Sequence, residues 1–262
     1  MQWFNSMLKL GKWWWPFLKK YEKWVHRKAD LNLFKTTEDQ QTAIKEFGLN
    51  AGQCMVIPYG IERPVMNENA TQLVRERHKI NSREKILLFA GTLDYLPNAE
   101  AVRHIYENLV PALSHTSLPY RIIICGRNEE YKLLNKLSHP AIINAGMVTD
   151  IENYFQAADV FINPVMTGGG IQTKNIEAIS CHCPVVCFDN MTAGIPAEVC
   201  GTKLLLADMN NWDKFTQRIT EAVHHKEETP NVFFGYFNWD TILKPLVKRI
   251  KEQPSIETTA LS

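Results

Sequence analysis

Apolar and polar positions form a regular block pattern from residue 85 onward. Short uninterrupted apolar runs predict buried strands, and the amphipathic segments between them predict helices. The predicted strands cover residues 86–90, 121–125, 141–144, 160–163, 184–188 and 203–206. The predicted helices cover residues 101–113, 131–137, 151–157, 173–180 and 212–224. Apolar strands without alternation, interleaved with helices, indicate a doubly wound α/β domain whose parallel sheet is covered on both faces.

A different pattern precedes this domain. Apolar residues in the first 24 positions recur at steps of four and three, which is one stripe of a helix. The stripe consists of Trp3, Met7, Leu10, Trp14, Phe17, Tyr21 and Trp24. Pro16 is expected to begin or kink a helix. Short strands at 31–34 and 54–57 enclose a helix that should start after Thr36 and end at Gly48.

Composition narrows the function classes. The chain is 45% hydrophobic and 22% charged, as soluble globular proteins are, and 29 basic residues balance 28 acidic ones. That balance gives no overall attraction to nucleic acid. No apolar stretch approaches the ~20 residues that span a bilayer, and no secretory signal is recognisable. The six cysteines mostly lie in apolar runs, so we expect buried reduced thiols and no metal site.

Candidate binding groups follow the predicted strands. Glycines stand at successive strand ends, at Gly91, Gly126, Gly146 and Gly168–Gly170. Ligands bind at the carboxyl ends of strands in such a fold, and glycine lets backbone amides approach them closely. None of these turns has the Gly-x-Gly-x-x-Gly pattern of dinucleotide-binding dehydrogenases.

The segment 163–180 carries the strongest chemical signal. A run of three glycines leads directly into a predicted helix, whose amino end favours a diphosphate. Lys174 in the first turn could add positive charge, and Glu177 could accept hydrogen bonds from a ribose diol. The alternative is that Lys174 and Glu177 form only an exposed ion pair, worth less than ~1 kcal/mol.

This segment resembles the nucleotide-sugar signature of family-4 glycosyltransferases. The shared features are Gly168–Gly170, Lys174, Glu177-Ala178 and Pro184-Val-Val186. Other family motifs follow in the same order. They are Pro58-Tyr-Gly-Ile61, Phe89-Ala-Gly-Thr92, Ile123-Ile-Cys-Gly126, Gly146-Met-Val-Thr-Asp150, Ala158-Asp-Val160 and Phe237-Asn-Trp239. The resemblance covers about residues 20–250.

Two departures distinguish the chain from the commonest pattern. Gly169 stands where a second glutamate usually contacts the transferred sugar. The family's Gly-Arg…Lys-Gly pair is replaced by Gly91-Thr92…Pro97-Asn98. A branch of the family carries a similar Leu-Pro-Asn pattern with a lysine in the signature helix, so we interpret the departures as a subfamily trait.

The resemblance implies the two-domain GT-B architecture, with residues 1–62 as the end of an acceptor-side domain and 63–252 as a Rossmann-like donor domain. Residues 253–262 are expected to be a flexible tail. The implied donor-binding residues are Gly91, Thr92, Gly126, Asn128, Val148, Gly168, Gly169, Gly170, Thr173, Lys174 and Glu177. Lys174 is the implied catalytic residue.

The implied activity is retaining transfer of a hexose from a nucleotide-diphospho-sugar to a glycan or a lipid-linked acceptor, in polysaccharide biosynthesis, with no cofactor and no metal. We expect a cytoplasmic location. The stripe from Trp3 to Trp24 has three interpretations: peripheral contact with the inner membrane face, a helix facing another domain or partner, or core of a missing domain.

Two other functions stay open at this level. The chain could be a truncated or split non-catalytic module that binds a nucleotide or a partner, such as a separate N-terminal half-protein. It could also be a sugar-nucleotide epimerase of the same fold, although no set of acid and base residues for that reaction can be assigned.

Overall fold

A computed structural model describes residues 14–129 and 137–252. The strands are β1 Asn32–Phe34, β2 Cys54–Val56, β3 Lys85–Ala90, β4 Tyr120–Cys125, β5 Ile142–Gly146, β6 Val160–Asn163, β7 Val185–Phe188 and β8 Leu204–Ala207. The helices are α1 Trp15–Lys28, α2 Thr37–Phe47, α3 Ala70–His78, α4 Leu96–His104, α5 Val110–Ser114, α6 Ile151–Ala157, α7 Thr173–Ser180, α8 Ala197–Cys200, α9 Trp212–Ala222, α10 Asn231–Phe237 and α11 Trp239–Glu252. A π-helical turn, Ile105–Leu109, joins α4 to α5.

Strands β3 to β8 form one parallel sheet in the order β5-β4-β3-β6-β7-β8. Successive residues of β3 enter two different hydrophobic clusters. Ile86 and Leu88 pack on one face of the sheet, while Leu87 and Phe89 pack on the other. Both faces are therefore buried, which explains why this strand is continuously apolar from Ile86 to Ala90. The predicted doubly wound α/β fold is confirmed.

Several element boundaries differ from the sequence predictions. The helix expected at 101–113 begins earlier, at Leu96, where Pro97 occupies the first turn and fits its geometry. The last strand begins at Leu204 rather than at Lys203, which instead ends a 3-10 turn. Lys203 is buried, and its ammonium donates to the His225 carbonyl at 3.1 Å. The helix predicted at 131–137 lies almost wholly outside the described residues.

Strands β1 and β2 form a small parallel sheet of their own, separate from the large one. Helix α2 begins as expected, because the Thr36 hydroxyl accepts a hydrogen bond from the Asp39 amide at 3.1 Å. It ends at Gly48, which has a φ of 64°. The apolar side of α2 packs Ala43 and Phe47 into a small cluster of its own.

The last described helices of the chain contact the segment around the small sheet, residues 52–61. The Ile61 amide donates to the Phe237 carbonyl at 2.7 Å, and Ile61 forms a parallel bridge with Asn238. Gly60 lies directly under the indole of Trp239, where a Cβ would stand 2.3 Å from the ring. Helix α11 then extends until Arg249 donates to the Gly52 carbonyl. The segment that precedes the large domain is therefore tied to the end of the chain.

Part of the predicted aromatic stripe lies on α1, and Trp3, Met7 and Leu10 lie outside the described residues. Trp14, Phe17, Tyr21 and Trp24 are each more than half exposed. Within residues 14–129 and 137–252, no helix is long and apolar enough to cross a membrane. The three interpretations of the aromatic stripe given above therefore stay predictions.

Candidate functional site

A cavity of about 640 Å³ opens at the carboxyl edge of the large sheet. Its walls come from the turn after β3 and from the loop and helix after β6. The strand order reverses between β3 and β6, and adjacent loops diverge at such a point to leave a crevice. The lining residues are Ala90, Gly91, Tyr95, Asn98, Ile151, Phe155, Gly169, Ile171, Gln172, Thr173, Lys174 and Glu177.

Helix α7 presents its amino end to this cavity. The exposed loop Thr167–Gly170 leads into it, and Gly168 and Gly170 have φ values of 115° and 80°. Gln172 precedes the helix without making a side-chain hydrogen bond to the first turn. The Asn175 amide donates to the Gln172 carbonyl at 3.0 Å, but the Gln172 side chain caps none of the first-turn amides. Such a helix end attracts an anion.

Lys174 lies at the floor of the cavity. Its ammonium donates a hydrogen bond to Asn98 Oδ1 at 2.8 Å and lies 4.9 Å from the centre of the Phe89 ring. Burial disfavours the charged form and lowers the pKa of Lys174 to about 7. A lysine with this pKa gains a full charge when an anion binds beside it.

Glu177 lies one turn further along α7 and has a different partner. The Tyr59 hydroxyl donates to Glu177 Oε1 at 2.8 Å. Burial, followed by this hydrogen bond, raises the pKa of Tyr59 to about 12, so the tyrosine stays protonated. Among the described residues, no carboxylate lies within 4.0 Å of the Lys174 ammonium. The alternative of a Lys174–Glu177 ion pair is therefore wrong.

The glycines that follow β3 and β4 face one another. The Gly91 amide donates to the Cys125 carbonyl at 3.0 Å, and the Gly126 amide donates to the Gly146 carbonyl at 2.8 Å. A Cβ at Gly126 would stand 1.9 Å from the Gly91 carbonyl oxygen. Position 126 therefore requires glycine, because the turns after β3 and β4 approach each other too closely for a side chain. These two amides hold the turns together rather than pointing at a ligand.

The predicted site residues fall into two groups. Those that line the cavity are Gly91, Gly169, Thr173, Lys174 and Glu177. Those outside its lining are Thr92, Gly126, Asn128, Val148, Gly168 and Gly170. Asn128 and Val148 lie in the loops after β4 and β5, on the same edge of the sheet, so contact with a nucleotide base stays a prediction for them.

Sequence reasoning missed the side chains that complete the cavity walls. These are Ala90, Tyr95, Asn98, Ile151, Phe155, Ile171 and Gln172. Asn98 had a signal in the sequence, since it belongs to the Pro97-Asn98 pair noted above as a departure from the commonest family pattern. The apolar residues of α6 had none, because their helical spacing is typical of any core helix.

The described residues provide little for a metal ion. Among them, no group of three His, Cys, Asp or Glu side chains lies close enough to hold one. All six cysteines are free thiols and five are buried, as expected. Burial raises the pKa of Cys181 to about 11 and that of Cys125 to about 12, so neither is a ready nucleophile.

Solved structures of glycosyltransferases share this fold. An enzyme from Rickettsia africae ESF-5 superimposes with a TM-score of 0.71 at 14% identity, covering 90% of this chain and 66% of that one. HepE of Anabaena, in complex with UDP and glucose, gives 0.69 at 17% identity, covering 90% and 67%. A mutant of S. aureus TarM, in complex with Fondaparinux, alpha-GlcNAc-glycerol and UDP, gives 0.64 at 14% identity, covering 87% and 46%.

At these identities the likeness establishes the fold alone, and the chain spans about two thirds or less of each of these three structures. No curated protein matches the sequence. The model of the family "Glycosyl transferases group 1" matches residues 84–225, more than half of the chain, and this range contains every residue that lines the cavity. The chain therefore belongs to the glycosyl transferases group 1 family.

Proposed function

We propose that the cavity between β3 and α7 binds a nucleotide-diphospho-sugar, and that the protein transfers its hexose to a glycan or lipid-linked acceptor with retention of configuration. The observation that carries the proposal is the convergence of a helix end without a side-chain cap, a partly buried lysine and a carboxylate on one cavity at the switch point of the sheet. UDP in the structures of HepE and TarM supports a nucleotide donor.

Each group has a role in this proposal. The leaving diphosphate lies against the first-turn amides of α7 and the Lys174 ammonium, which stabilise the negative charge that develops as the sugar departs. Glu177 accepts hydrogen bonds from the ribose diol. The donor's own phosphate assists the attack on the same face of the sugar, so the reaction requires no metal ion and no protein nucleophile.

The acceptor is proposed to approach from a second, smaller cavity. This cavity, of about 280 Å³, lies between the carboxyl ends of β1 and β2 and the loop 192–196, with Lys35, Glu38 and Tyr236 among its lining residues. It borders the donor cavity, because a Cβ at Gly194 would touch both Ile171 and Thr36. An acceptor placed there would lie next to the donor cavity.

Calorimetric titration with UDP, GDP and ADP tests the donor site. We expect one of the three to bind and Lys174→Gln to weaken that binding about 10-fold to 100-fold, since a hydrogen bond to a charged group contributes about 1.5–3 kcal/mol. Lys244→Gln, on the exposed face of α11, is the matched control and should bind as the parent chain does. If none of the three nucleotides binds, the proposal fails.

Transfer is tested separately from binding. The chain is incubated with the sugar nucleotide whose base binds, first alone and then with candidate acceptors. The products are identified by mass and their anomeric configuration by NMR. Transfer with retained anomeric configuration supports the proposal. Binding without turnover under any condition would instead support a non-catalytic nucleotide-binding module.

A further inference from the structure

Two opposite charges on α7 stand one helical turn apart without pairing. Lys174 and Glu177 are at positions i and i+3, where side chains of a helix normally meet. Each is engaged by a neutral group from a different part of the chain instead. Asn98 of α4 accepts from Lys174 at 2.8 Å, and Tyr59, from the loop after β2, donates to Glu177 at 2.8 Å.

Asn98 is itself firmly held. It is buried, with 9% of its surface exposed, and its amide nitrogen donates to the Thr92 carbonyl at 3.0 Å. The side chain also lies against the turn after β3, since a Cβ at Gly91 would stand 2.7 Å from Asn98 Nδ2. The carboxamide oxygen therefore has one available direction, toward Lys174. This geometry also fixes which way the lysine extends across the cavity.

We propose that Asn98 and Tyr59 are positioning residues that hold Lys174 and Glu177 apart, so that the cation stays uncompensated for the donor diphosphate and the carboxylate stays available for the ribose. This inference rests on the proposed donor-binding function and deepens it. Both residues act through their partners. A carboxylate in place of Asn98 would neutralise the lysine, whereas the amide orients it without cancelling its charge.

The other groups around Lys174 fit this assignment. On α4, Glu100 accepts from the Thr167 hydroxyl at 3.1 Å. On β7, burial raises the pKa of Cys187 to about 12, so that thiol is uncharged near neutral pH. On β3, the Phe89 ring lies 4.9 Å from the Lys174 ammonium, and α6 lines the cavity with the apolar side chains of Ile151 and Phe155. Glu177, the one carboxylate of α7, is thus the group that has to be kept from pairing with Lys174.

The test compares three variants of the full chain by calorimetry from pH 6 to pH 8. Asn98→Asp adds a carboxylate beside Lys174, Tyr59→Phe frees Glu177, and Asn108→Asp places the same new charge further along the helix, outside the cavity lining. The probe is the glucose conjugate of whichever nucleotide binds the parent chain, because its diphosphate diester does not titrate in this range. Melting midpoints verify that each variant is folded.

For the parent chain, affinity should fall as the pH rises through about 7, because Lys174 loses its proton there. Asn98→Asp should weaken binding at pH 6 about 10-fold to 100-fold and flatten the pH profile, since the new carboxylate keeps the lysine protonated. Tyr59→Phe should weaken it about threefold to fivefold, the effect of a partly exposed ion pair. Asn108→Asp should match the parent.

The outcomes separate the two hypotheses. A parent chain that binds no nucleotide contradicts the proposed function itself. If the parent chain binds nucleotide and Asn98→Asp binds it equally well, only the positioning role is overturned. The same conclusion follows if Asn98→Asp binds more weakly but has an unchanged pH profile. If Asn98→Asp does not fold, the single hydroxyl removed in Tyr59→Phe decides the question: unchanged affinity there also overturns it.

Discussion

Gly126 and Gly91 pack back to back at the carboxyl edge of the sheet, and a single methyl group at Gly126 should disturb both the fold and the cavity. The Cβ of Gly126→Ala would stand 1.9 Å from the Gly91 carbonyl oxygen, whereas ordinary contact begins at 3.4 Å. The obstructing atom belongs to the backbone, so no side chain can rotate away. Relief requires the turn after β3 to move by about 1.5 Å, the difference between these two distances.

The expected cost follows from this geometry. Overpacking of a dense core costs about 1–3 kcal/mol, and a clash with backbone belongs at the upper end of that range. A chain of this size loses about 2–4 °C of melting temperature per kcal/mol, so Gly126→Ala should melt about 6–12 °C lower. Because Gly91 lines the cavity, its displacement should also weaken nucleotide binding about tenfold or more.

Thermal unfolding followed by circular dichroism, with calorimetric titration at 20 °C, measures both effects. The matched control is Gly235→Ala in α10, where a Cβ would meet no atom within 4 Å and alanine favours the helix. That variant should be at least as stable as the parent chain. A Gly126→Ala protein with parental stability and parental affinity would refute the argument that the two turns are in rigid contact.

Two further predictions concern the frame around the site. Asp159 is buried and accepts hydrogen bonds from Lys226 at 2.8 Å and Lys85 at 3.2 Å, so Asp159→Asn should lower the free energy of unfolding by about 2–3 kcal/mol in urea titrations. Burial is the largest single influence on Asp159 and acts to raise its pKa, but the hydrogen bonds from Lys226 and the Ile86 amide and the charges of Lys226 and Lys85 together outweigh it, so the pKa is lowered in the folded protein. The contribution of Asp159 to stability should therefore be complete above its unfolded pKa of ~4 and be lost as the pH falls through its folded pKa. If the loss of stability in Asp159→Asn were the same at low pH, this reasoning would be contradicted. Gly60→Ala would place a methyl group 2.3 Å from the Trp239 ring, so α11 should detach and limited proteolysis should cleave near it; a protease-resistant variant would show that the packing is loose.

Much of the fold could be predicted from local pattern. The runs 86–90, 160–162 and 185–188 are continuously apolar because both faces of the sheet are covered, and their short length favours buried strands. Helices α6 and α7 begin and end where the sequence predicts. The helix predicted at 101–113 leaves out the first turn of α4, which begins at Leu96 with Pro97, although proline is well tolerated in a first helical turn.

The candidate site was only partly predictable. The glycine run, Lys174 and Glu177 lie on one short segment, so the chemistry of that segment is readable from neighbouring residues. Their partners are remote, since Asn98 is 76 positions from Lys174 and Tyr59 is 118 from Glu177. Helical spacing alone favoured an ion pair between the two charges, which the structure corrects.

By itself, the sequence determined the class of fold, the order of the glycine turns and the residue types offered to a ligand, because these depend on periodicity and on neighbours along the chain. Tertiary structure decided which turns meet, which amides are already used and which partner each charge takes. Hydrogen bonds and contacts between distant segments depend on how strands are ordered in the sheet, and local spacing carries no information about that order. For this reason Gly126 serves as a close contact to Gly91 outside the cavity lining, and Lys174 takes a neutral amide in place of the carboxylate beside it.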